Sequence, residues 1–207
     1  MIQKKILQTA VALLLISSVF SDITVKIPEE LADKIVSASG KTGVIDYSIS
    51  TFGFLDYQAQ ANYYVEYYPG GTGCTPIIKS STESEEDNGD YATMNKAYIV
   101  KRGECEFYTK AKFAGKENAK LVIVVLDEHD DPKDIIPIST KDSNKDIFKN
   151  QFIFRNFFNL SSDSDVIPPL ILIPFASGNK LLNYAWNNRE KAVLFVDFDM
   201  VKNYLNE

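Results

Sequence analysis

The sequence is poor in the residues that most catalytic and metal sites use, because its 207 residues include one histidine and two cysteines. A single imidazole does not complete the ligand set of a transition metal. A serine or cysteine protease needs a base beside its nucleophile, and His129 lies alone in an acidic segment at 127–131. Carboxylates are numerous, but their spacing places no two of them across a cleft. We therefore expect a protein that is not an enzyme and holds no metal and no cofactor, and we expect 127–131 to be a polar loop.

Clustered positive charge is also lacking. The 22 Lys and Arg residues are outnumbered by 28 Asp and Glu residues, which gives a formal net charge of -6. Phosphate binding requires a face rich in Lys and Arg, so we expect no binding of nucleic acid. A serine-rich acidic stretch at 80–90 could bind calcium or a basic partner. Its ligand spacing does not match a calcium loop, and we expect a solvated mobile loop instead.

Long apolar runs are confined to the N-terminus. Lys4 and Lys5 precede an apolar run at 6–16, and small or compact residues follow at 19–21, which is typical of a signal peptide cleaved after Ser21. An uncleaved anchor is the alternative, but the run is shorter than the roughly 20 residues that a span needs. We therefore predict a signal peptide at 1–21 and no membrane span in the mature chain.

The mature chain, 22–207, is long enough for one domain with a sizeable core and leaves no room for a second. The signal peptide predicts a secreted protein or one in the lumen of the endomembrane system, in which a vacuole-type or lysosome-type compartment is possible. There Cys74 and Cys105 would be oxidised, with only one possible intramolecular pairing. A reactive thiol is the alternative, although no C-x-x-C motif is present. Asn159 begins an N-glycosylation acceptor, and an unmodified turn is its alternative.

The most regular stretch of the chain is a predicted βαβ unit. Apolar β-branched runs at 97–101 and 120–127 flank a segment of helix formers at 106–119. A connection of this length that contains a helix joins parallel strands by a right-handed crossover. In the turn before the helix, Gly103 permits a backbone conformation that other residues resist, and the helix start offers unpaired N–H groups.

Three further strands are predicted before this unit, and a second unit follows it. The alternating patterns at 23–27, 43–49 and 58–67 each indicate a strand, and the last should have one buried face and one wet or partly covered face. At the C-terminal end, a strand at 170–173, a turn, a helix at 178–188 and a strand at 191–199 indicate a unit of the same βαβ type.

Four stretches together resemble the protease-associated (PA) domain, and the likeness covers nearly all of the mature chain. They are 44–53 (VIDYSISTFG), the Gly73-Cys74 pair, 102–105 (RGEC) with the helix and strand that follow, and 167–173 (IPPLILI). The likeness is greatest to the lumenal PA domain of vacuolar sorting receptors. The most specific part is the strand, the Arg-Gly-x-Cys turn, the helix and the strand.

The resemblance implies an α+β domain with a curved β-sheet or open β-barrel flanked by helices, which binds rather than catalyses. In receptor members a cargo peptide lies near the turn that matches Arg102, Gly103, Glu104 and Cys105, and the arginine and backbone groups take part. The paired cysteines of that subgroup match Cys74 and Cys105. This chain has Glu104 where an aspartate is usual, and it shows neither the cysteine-rich repeats nor the membrane span of a receptor.

Two functions remain open at this stage, and neither the partner nor the oligomeric state follows from the sequence. One is binding of a protein or peptide partner through 102–105, in which Arg102 would contact a carboxylate or carbonyl group. Alternatively, the side chain of Arg102 pairs with a nearby carboxylate of its own chain and does not contact a partner. The other function is that of a structural or assembly glycoprotein, whose exposed tyrosine-bearing strand face packs into a larger complex.

Overall fold

In the computed structural model, the described residues are 23–53, 60–78, 91–135, 137, 167–188 and 190–197. The predicted signal peptide at 1–21, the acidic loop at 80–90 and the glycosylation of Asn159 lie outside these residues and stay predictions. Within the described segments, no helix combines the length and the apolar character that crossing a bilayer requires.

The described chain contains eight strands and three helices. The strands are β1 (Ile23–Ile27), β2 (Val44–Ile45), β3 (Ser48–Ile49), β4 (Gln60–Tyr67), β5 (Asn95–Lys101), β6 (Leu121–Val125), β7 (Leu170–Ile173) and β8 (Ala192–Asp197). The helices are α1 (Glu29–Lys34), α2 (Phe107–Lys116) and α3 (Phe175–Asn187), and a 3₁₀ turn occupies Pro132–Asp134.

All eight strands form one curled, mixed sheet in the order β2-β1-β8-β4-β5-β6-β7-β3. Strands β4 to β7 run parallel to one another, and the other pairings are antiparallel. Only Asp46 and Tyr47 separate the two edge strands, β2 and β3. Because consecutive Cα atoms are about 3.8 Å apart, the facing ends of these strands lie within about 11 Å. The sheet is therefore a half-barrel, and the predicted α+β fold class is confirmed.

The predicted βαβ unit is confirmed. Strands β5 and β6 pair in parallel from Ala97 opposite Leu121 to Lys101 opposite Val125, and α2 connects them. Helix α2 ends at Lys116, and Asn118 then adopts a left-handed φ of 61°, a conformation that commonly terminates helices. This geometry places the turn at 102–105 at the carboxyl end of β5.

Two predictions about strands are wrong. The single strand at 43–49 is divided into β2 and β3, which lie on opposite edges of the sheet, because alternation indicates an extended chain but not its pairing partner. The C-terminal unit is not a second βαβ unit, since β8 lies between β1 and β4 and is antiparallel to both. Periodicity identifies a strand without giving its direction.

Helix α3, in the C-terminal unit, begins earlier than predicted, at Phe175 instead of 178. Gly178 lies inside the first turns of α3, where the helix packs closely on the sheet. A Cβ added at Gly178 would lie 2.6 Å from Cγ1 of Val125. This glycine therefore permits close packing and does not mark the helix boundary.

The core consists of two layers, one on each face of the sheet. Helices α1 and α3 cover one face with apolar residues that include Leu31 and Leu181, and α2 covers the other with Ala111 and Ala114. All five residues of β6 are buried, as expected for a parallel strand covered on both faces. The central strands are thereby fixed, and the loops at their carboxyl ends are held on a rigid support.

The second face of β4 is partly covered, as the sequence predicts. Tyr64 is 4% exposed and packs its ring 5.9 Å from the ring of Tyr91. Glu66 forms ion pairs with Lys96 at 3.4 Å and with Lys191 at 2.8 Å. The tyrosine on this face is therefore buried, so it does not supply the exposed tyrosine surface that the assembly hypothesis requires.

Candidate functional site

The candidate site is the turn at 102–105, which we call the Arg102 turn. It begins at the carboxyl end of β5, where the backbone N–H of Arg102 donates to the carbonyl oxygen of Val125 at 3.0 Å. Gly103 and Glu104 both have left-handed backbone conformations, with φ of 92° and 63°. Both residues are exposed, whereas Arg102 and Cys105 are half-buried. The turn therefore presents its tip to solvent on a rigid base.

A disulfide joins the Arg102 turn to the segment at 71–74. Cys74 and Cys105 are bonded with their Cα atoms 5.7 Å apart and 31 positions apart in sequence, which confirms the predicted pair. The backbone N–H of Lys101 also donates to the carbonyl oxygen of Gly71 at 2.8 Å. The two segments are thus held together by a covalent bond and by a backbone hydrogen bond.

Lys110, on the first turn of α2, lies beneath this junction and is only 1% exposed. Its Nζ donates to the carbonyl oxygen of Thr72 at 2.5 Å and to that of Gly103 at 2.8 Å. Nζ also lies 3.3 Å from Sγ of Cys74. An ammonium group carries three donors and no acceptor, so these three contacts satisfy it. Lys110 therefore links both sides of the junction from inside the protein.

The environment of Lys110 alters its proton affinity. Burial lowers the pKa of Lys110 to about 8, and the nearby negative charge of Glu104 opposes this shift. Glu104 is itself held in place because the hydroxyl of Thr72 donates to its Oε2 at 2.8 Å. The ammonium form still predominates at pH 7, so a positive charge lies directly below the exposed turn.

Arg102 forms an ion pair with Asp130, in which Nη1 contacts Oδ2. Asp130 also accepts a hydrogen bond from the backbone N–H of Asp127 at 3.3 Å. The side chains of Arg102 and Asp130 are 31% and 27% exposed. The intrachain pairing considered for Arg102 is therefore present. Partly exposed ion pairs of this kind contribute little, about 0 to 1 kcal/mol, so another acceptor could compete with Asp130.

A cleft is lined in part by Asp130. It has a volume of about 720 Å³, and its lining residues come from 38–47, which includes β2, from 130–133 and from Pro174. Its walls include apolar side chains such as Val44 and Ile45. Asp130 both lines this cleft and contacts Arg102, so it links the Arg102 turn to the cleft.

The acidic segment at 127–131 is a polar loop at the carboxyl end of β6, as predicted. Asp130 pairs with Arg102, and Asp131 caps the 3₁₀ turn by accepting from the backbone N–H of Lys133 at 2.9 Å. Among the described segments, no three His, Cys, Asp or Glu side chains are grouped so that they could hold a metal ion.

The sequence predictions named Arg102, Gly103, Glu104 and Cys105, and the structure brings these together with Cys74. They did not identify Lys110, and they considered an intrachain carboxylate partner for Arg102 without naming Asp130. A signal for Lys110 exists, because it follows Phe107 by three residues and lies beside Ala111 and Ala114 on the buried face of α2. The partner of Arg102 has no local signal, since β5 and the loop after β6 meet only in the folded sheet.

Comparisons with known proteins give a family and a set of structural neighbours. An aminopeptidase from Aneurinibacillus sp. strain AM-1 is 15% identical, with a TM-score of 0.44 over 86% of this chain and 30% of that chain. A zinc aminopeptidase from Bacillus subtilis is 14% identical, with a TM-score of 0.38 over 86% and 30%. A peptidase M28 precursor from Shewanella amazonensis is 6% identical, with a TM-score of 0.39 over 86% and 33%.

This chain thus spans about a third of the length of these peptidases, and at such similarity their activities are not transferred to it. A search of curated proteins found no match. The family model for the PA domain matches residues 61–181, which include the Arg102 turn, both cysteines and most of α3. Because this match covers more than half of the 207 residues, the chain belongs to the PA domain family.

Proposed function

We propose that this chain is a non-catalytic recognition module that binds a segment of another protein or a peptide through the Arg102 turn. PA domains are often protein-interaction modules, which supports this class of function. The observation that carries the proposal is an exposed turn whose backbone is fixed from below by the disulfide and by Lys110.

Rigidity supports binding because a surface that is already ordered loses little conformational entropy when its partner arrives. Gly103 and Glu104 are held in left-handed conformations, so their peptide groups point in fixed directions. Apart from the Gly103 carbonyl, which accepts from Lys110, such backbone groups can hydrogen bond with an extended peptide regardless of its side chains. The turn would thus supply affinity, and the neighbouring side chains would supply specificity.

Arg102 is the proposed specificity residue. Its guanidinium group is paired with Asp130 in the unbound protein, and a carboxylate or carbonyl group of the partner could replace Asp130 at little cost. The cleft beside Asp130, at about 720 Å³, is large enough for a few side chains of the same partner. We place the bound segment across the Arg102 turn and into this cleft.

A secreted or lumenal location is part of the proposal. It is supported by the disulfide, since such bonds persist mainly in oxidising compartments, and by the signal peptide predicted at 1–21. Recognition of the sorting-receptor type would be one use of the site in that location. As a non-catalytic module, the purified protein should turn over no member of a peptide or glycoside library.

The test uses peptides selected from a displayed random library on the wild-type protein. Arg102→Ala should weaken their binding by about 10-fold or more, as expected for loss of a hydrogen bond to a charged group. Lys112→Ala is the matched control, because it removes one exposed positive charge from α2, outside 102–105. Unchanged binding in Arg102→Ala, with a melting temperature close to that of the wild type, would exclude this surface.

A structural or assembly role is the second candidate, and a different surface favours it. Trp186, near the end of α3, is 64% exposed and packs edge-on against Tyr67, with ring centroids 4.6 Å apart. Exposed tryptophan is enriched at protein interfaces. Analytical ultracentrifugation of the wild type and of Trp186→Ala separates the two functions. A stable oligomer that Trp186→Ala dissociates, combined with failure to select peptides, would favour assembly.

A further inference from the structure

The disulfide lies against a buried cation whose chemistry the proposed recognition role does not use. Nζ of Lys110 is 3.3 Å from Sγ of Cys74. The other two contacts of this Nζ are the carbonyl oxygens of Thr72 and Gly103. A neighbouring ammonium group stabilises a thiolate and so lowers the pKa of a thiol. If the disulfide opened, the sulfur of Cys74 would carry its negative charge beside Lys110.

The disulfide is partly exposed to solvent. Cys74 and Cys105 are both partly exposed, and Gly103 and Glu104 directly before Cys105 are exposed. A thiol reductant can therefore reach the disulfide from solvent, while the side chain of Lys110 beside Cys74 is buried. Exchange is fastest when the departing sulfur is the more stable thiolate, so the arrangement favours attack on Cys105 and departure of Cys74.

We propose that Cys74 and Cys105 form a thiol–disulfide exchange site, with Cys74 as the leaving sulfur and Lys110 as the positioning residue, and that reduction loosens the Arg102 turn. The exchange chemistry depends only on the geometry around the disulfide. The consequence for partner binding rests on the proposed function.

The exchange proceeds in two balanced steps with a dithiol as reductant. A thiolate of the dithiol attacks Sγ of Cys105, a mixed disulfide forms, and the electron pair of the broken S–S bond passes to Cys74. The second thiol of the reductant then loses its proton to solvent. It attacks the reductant's other sulfur, which is bonded to Cys105 in the mixed disulfide. Cys105 departs and takes up a proton from solvent, the dithiol becomes a cyclic disulfide, and the protein has gained two electrons.

The fold should survive this reaction because other contacts hold the same two segments. Lys110 still bridges the carbonyl oxygens of Thr72 and Gly103, and the backbone of Lys101 still donates to Gly71. Reduction would therefore remove the covalent link from the turn while these hydrogen bonds remain. The expected result is a looser turn on an intact sheet.

Mapping of a trapped intermediate tests the leaving sulfur in the unmodified chain. The protein is treated with glutathione, a monothiol, and then with iodoacetamide, and the modified peptides are identified by mass spectrometry. Glutathione should be found mainly on Cys105 and the alkyl group on Cys74. The reverse distribution, or an equal one, would overturn the assignment.

A second measurement tests the role of Lys110 by its effect on the Cys74 thiol. In Cys105→Ser, the ultraviolet absorbance of the thiolate gives the pKa of Cys74, on which Lys110 and the opposing charge of Glu104 both act. This pKa should lie about one unit or more below the ordinary value of about 8.5 and should rise towards it when Lys110→Met is added. A pKa at or above the ordinary value in Cys105→Ser would overturn the proposal.

Binding measurements distinguish a failure of this inference from a failure of the proposed function. Peptides selected on the oxidised protein are titrated against the protein reduced with dithiothreitol, and reduction should weaken binding about 5-fold or more through loss of order in the turn. If binding depends on Arg102 but not on reduction, the switch is refuted and the recognition role stands. If binding does not depend on Arg102, the recognition role fails, while the two thiol measurements still decide the exchange chemistry.

Discussion

Replacing Lys110 with methionine should change how the stability of the protein depends on pH. The pKa of this lysine falls from 10.5 in the unfolded chain to about 8 in the folded protein because the ammonium group is buried. Between these values the unfolded state binds more protons, so the free energy of unfolding rises with pH in this window. Below pH 8 the burial penalty is fully present, and it is relieved as pH rises from about 8 to 10.5.

The size of this change in the free energy of unfolding follows from the lowered pKa of Lys110, since a difference of one in pKa corresponds to about 1.4 kcal/mol. Relative to Lys110→Met, the wild-type protein should gain about 2.5 kcal/mol of stability between pH 7 and pH 10. The measurement is urea denaturation of both proteins at a series of pH values, with Lys112→Met as the control, because it removes an exposed lysine from the same helix. The control should follow the wild-type curve.

Burial also raises the pKa of Tyr68 to about 12 and raises the pKa of Tyr98. Above about pH 10 these two tyrosines lower the stability of the protein, whereas Lys110 raises it as pH rises from about 8 to 10.5. Both tyrosines are present in wild type and in Lys110→Met, so their effect cancels when the two free energies of unfolding are subtracted. A stability difference between wild type and Lys110→Met that stays constant from pH 7 to pH 10 would contradict this expectation. It would mean that the buried ammonium group titrates as it does in water.

Two further predictions concern the links that hold the fold. Removing the disulfide in Cys74→Ala/Cys105→Ala should lower the free energy of unfolding by roughly 3 to 4 kcal/mol, because the bond closes a loop with a sequence separation of 31. Thermal unfolding measures the loss, and a change below about 1 kcal/mol would contradict the chain-entropy account. Gly178→Ala should cost about 1 to 3 kcal/mol, since the added Cβ would lie 2.6 Å from Cγ1 of Val125. Asn183→Ala on the exposed side of α3 is its control, and equal stability of both variants would show that the helix can shift away from the sheet.

The elements that could be predicted from the sequence are those set by local patterns. The unit β5–α2–β6 follows from two apolar β-branched runs around a helical segment, and its parallel pairing follows from the length of the connection. The disulfide follows from two cysteines in a chain with a predicted signal peptide. In these cases the residues that determine the structure are neighbours in sequence or have only one possible partner.

The features that could not be predicted depend on contacts between distant segments. β8 alternates like any half-buried strand, and only its position between β1 and β4 makes it antiparallel. Gly178 has the sequence signature of a helix boundary, but its role depends on the distance to Val125. The pairing of Arg102 with Asp130 requires the ends of β5 and β6 to lie side by side, which no local pattern encodes.

The central claim is that the Arg102 turn is the surface at which a partner binds. The most direct test is titration of the isotope-labelled protein with a selected peptide, followed through its backbone amide chemical shifts. We expect the largest shifts at Gly103, Glu104 and Cys105, with smaller ones at Asp130 and in the adjoining cleft. Shifts that centre instead on Trp186 and leave the Arg102 turn unchanged would contradict this claim.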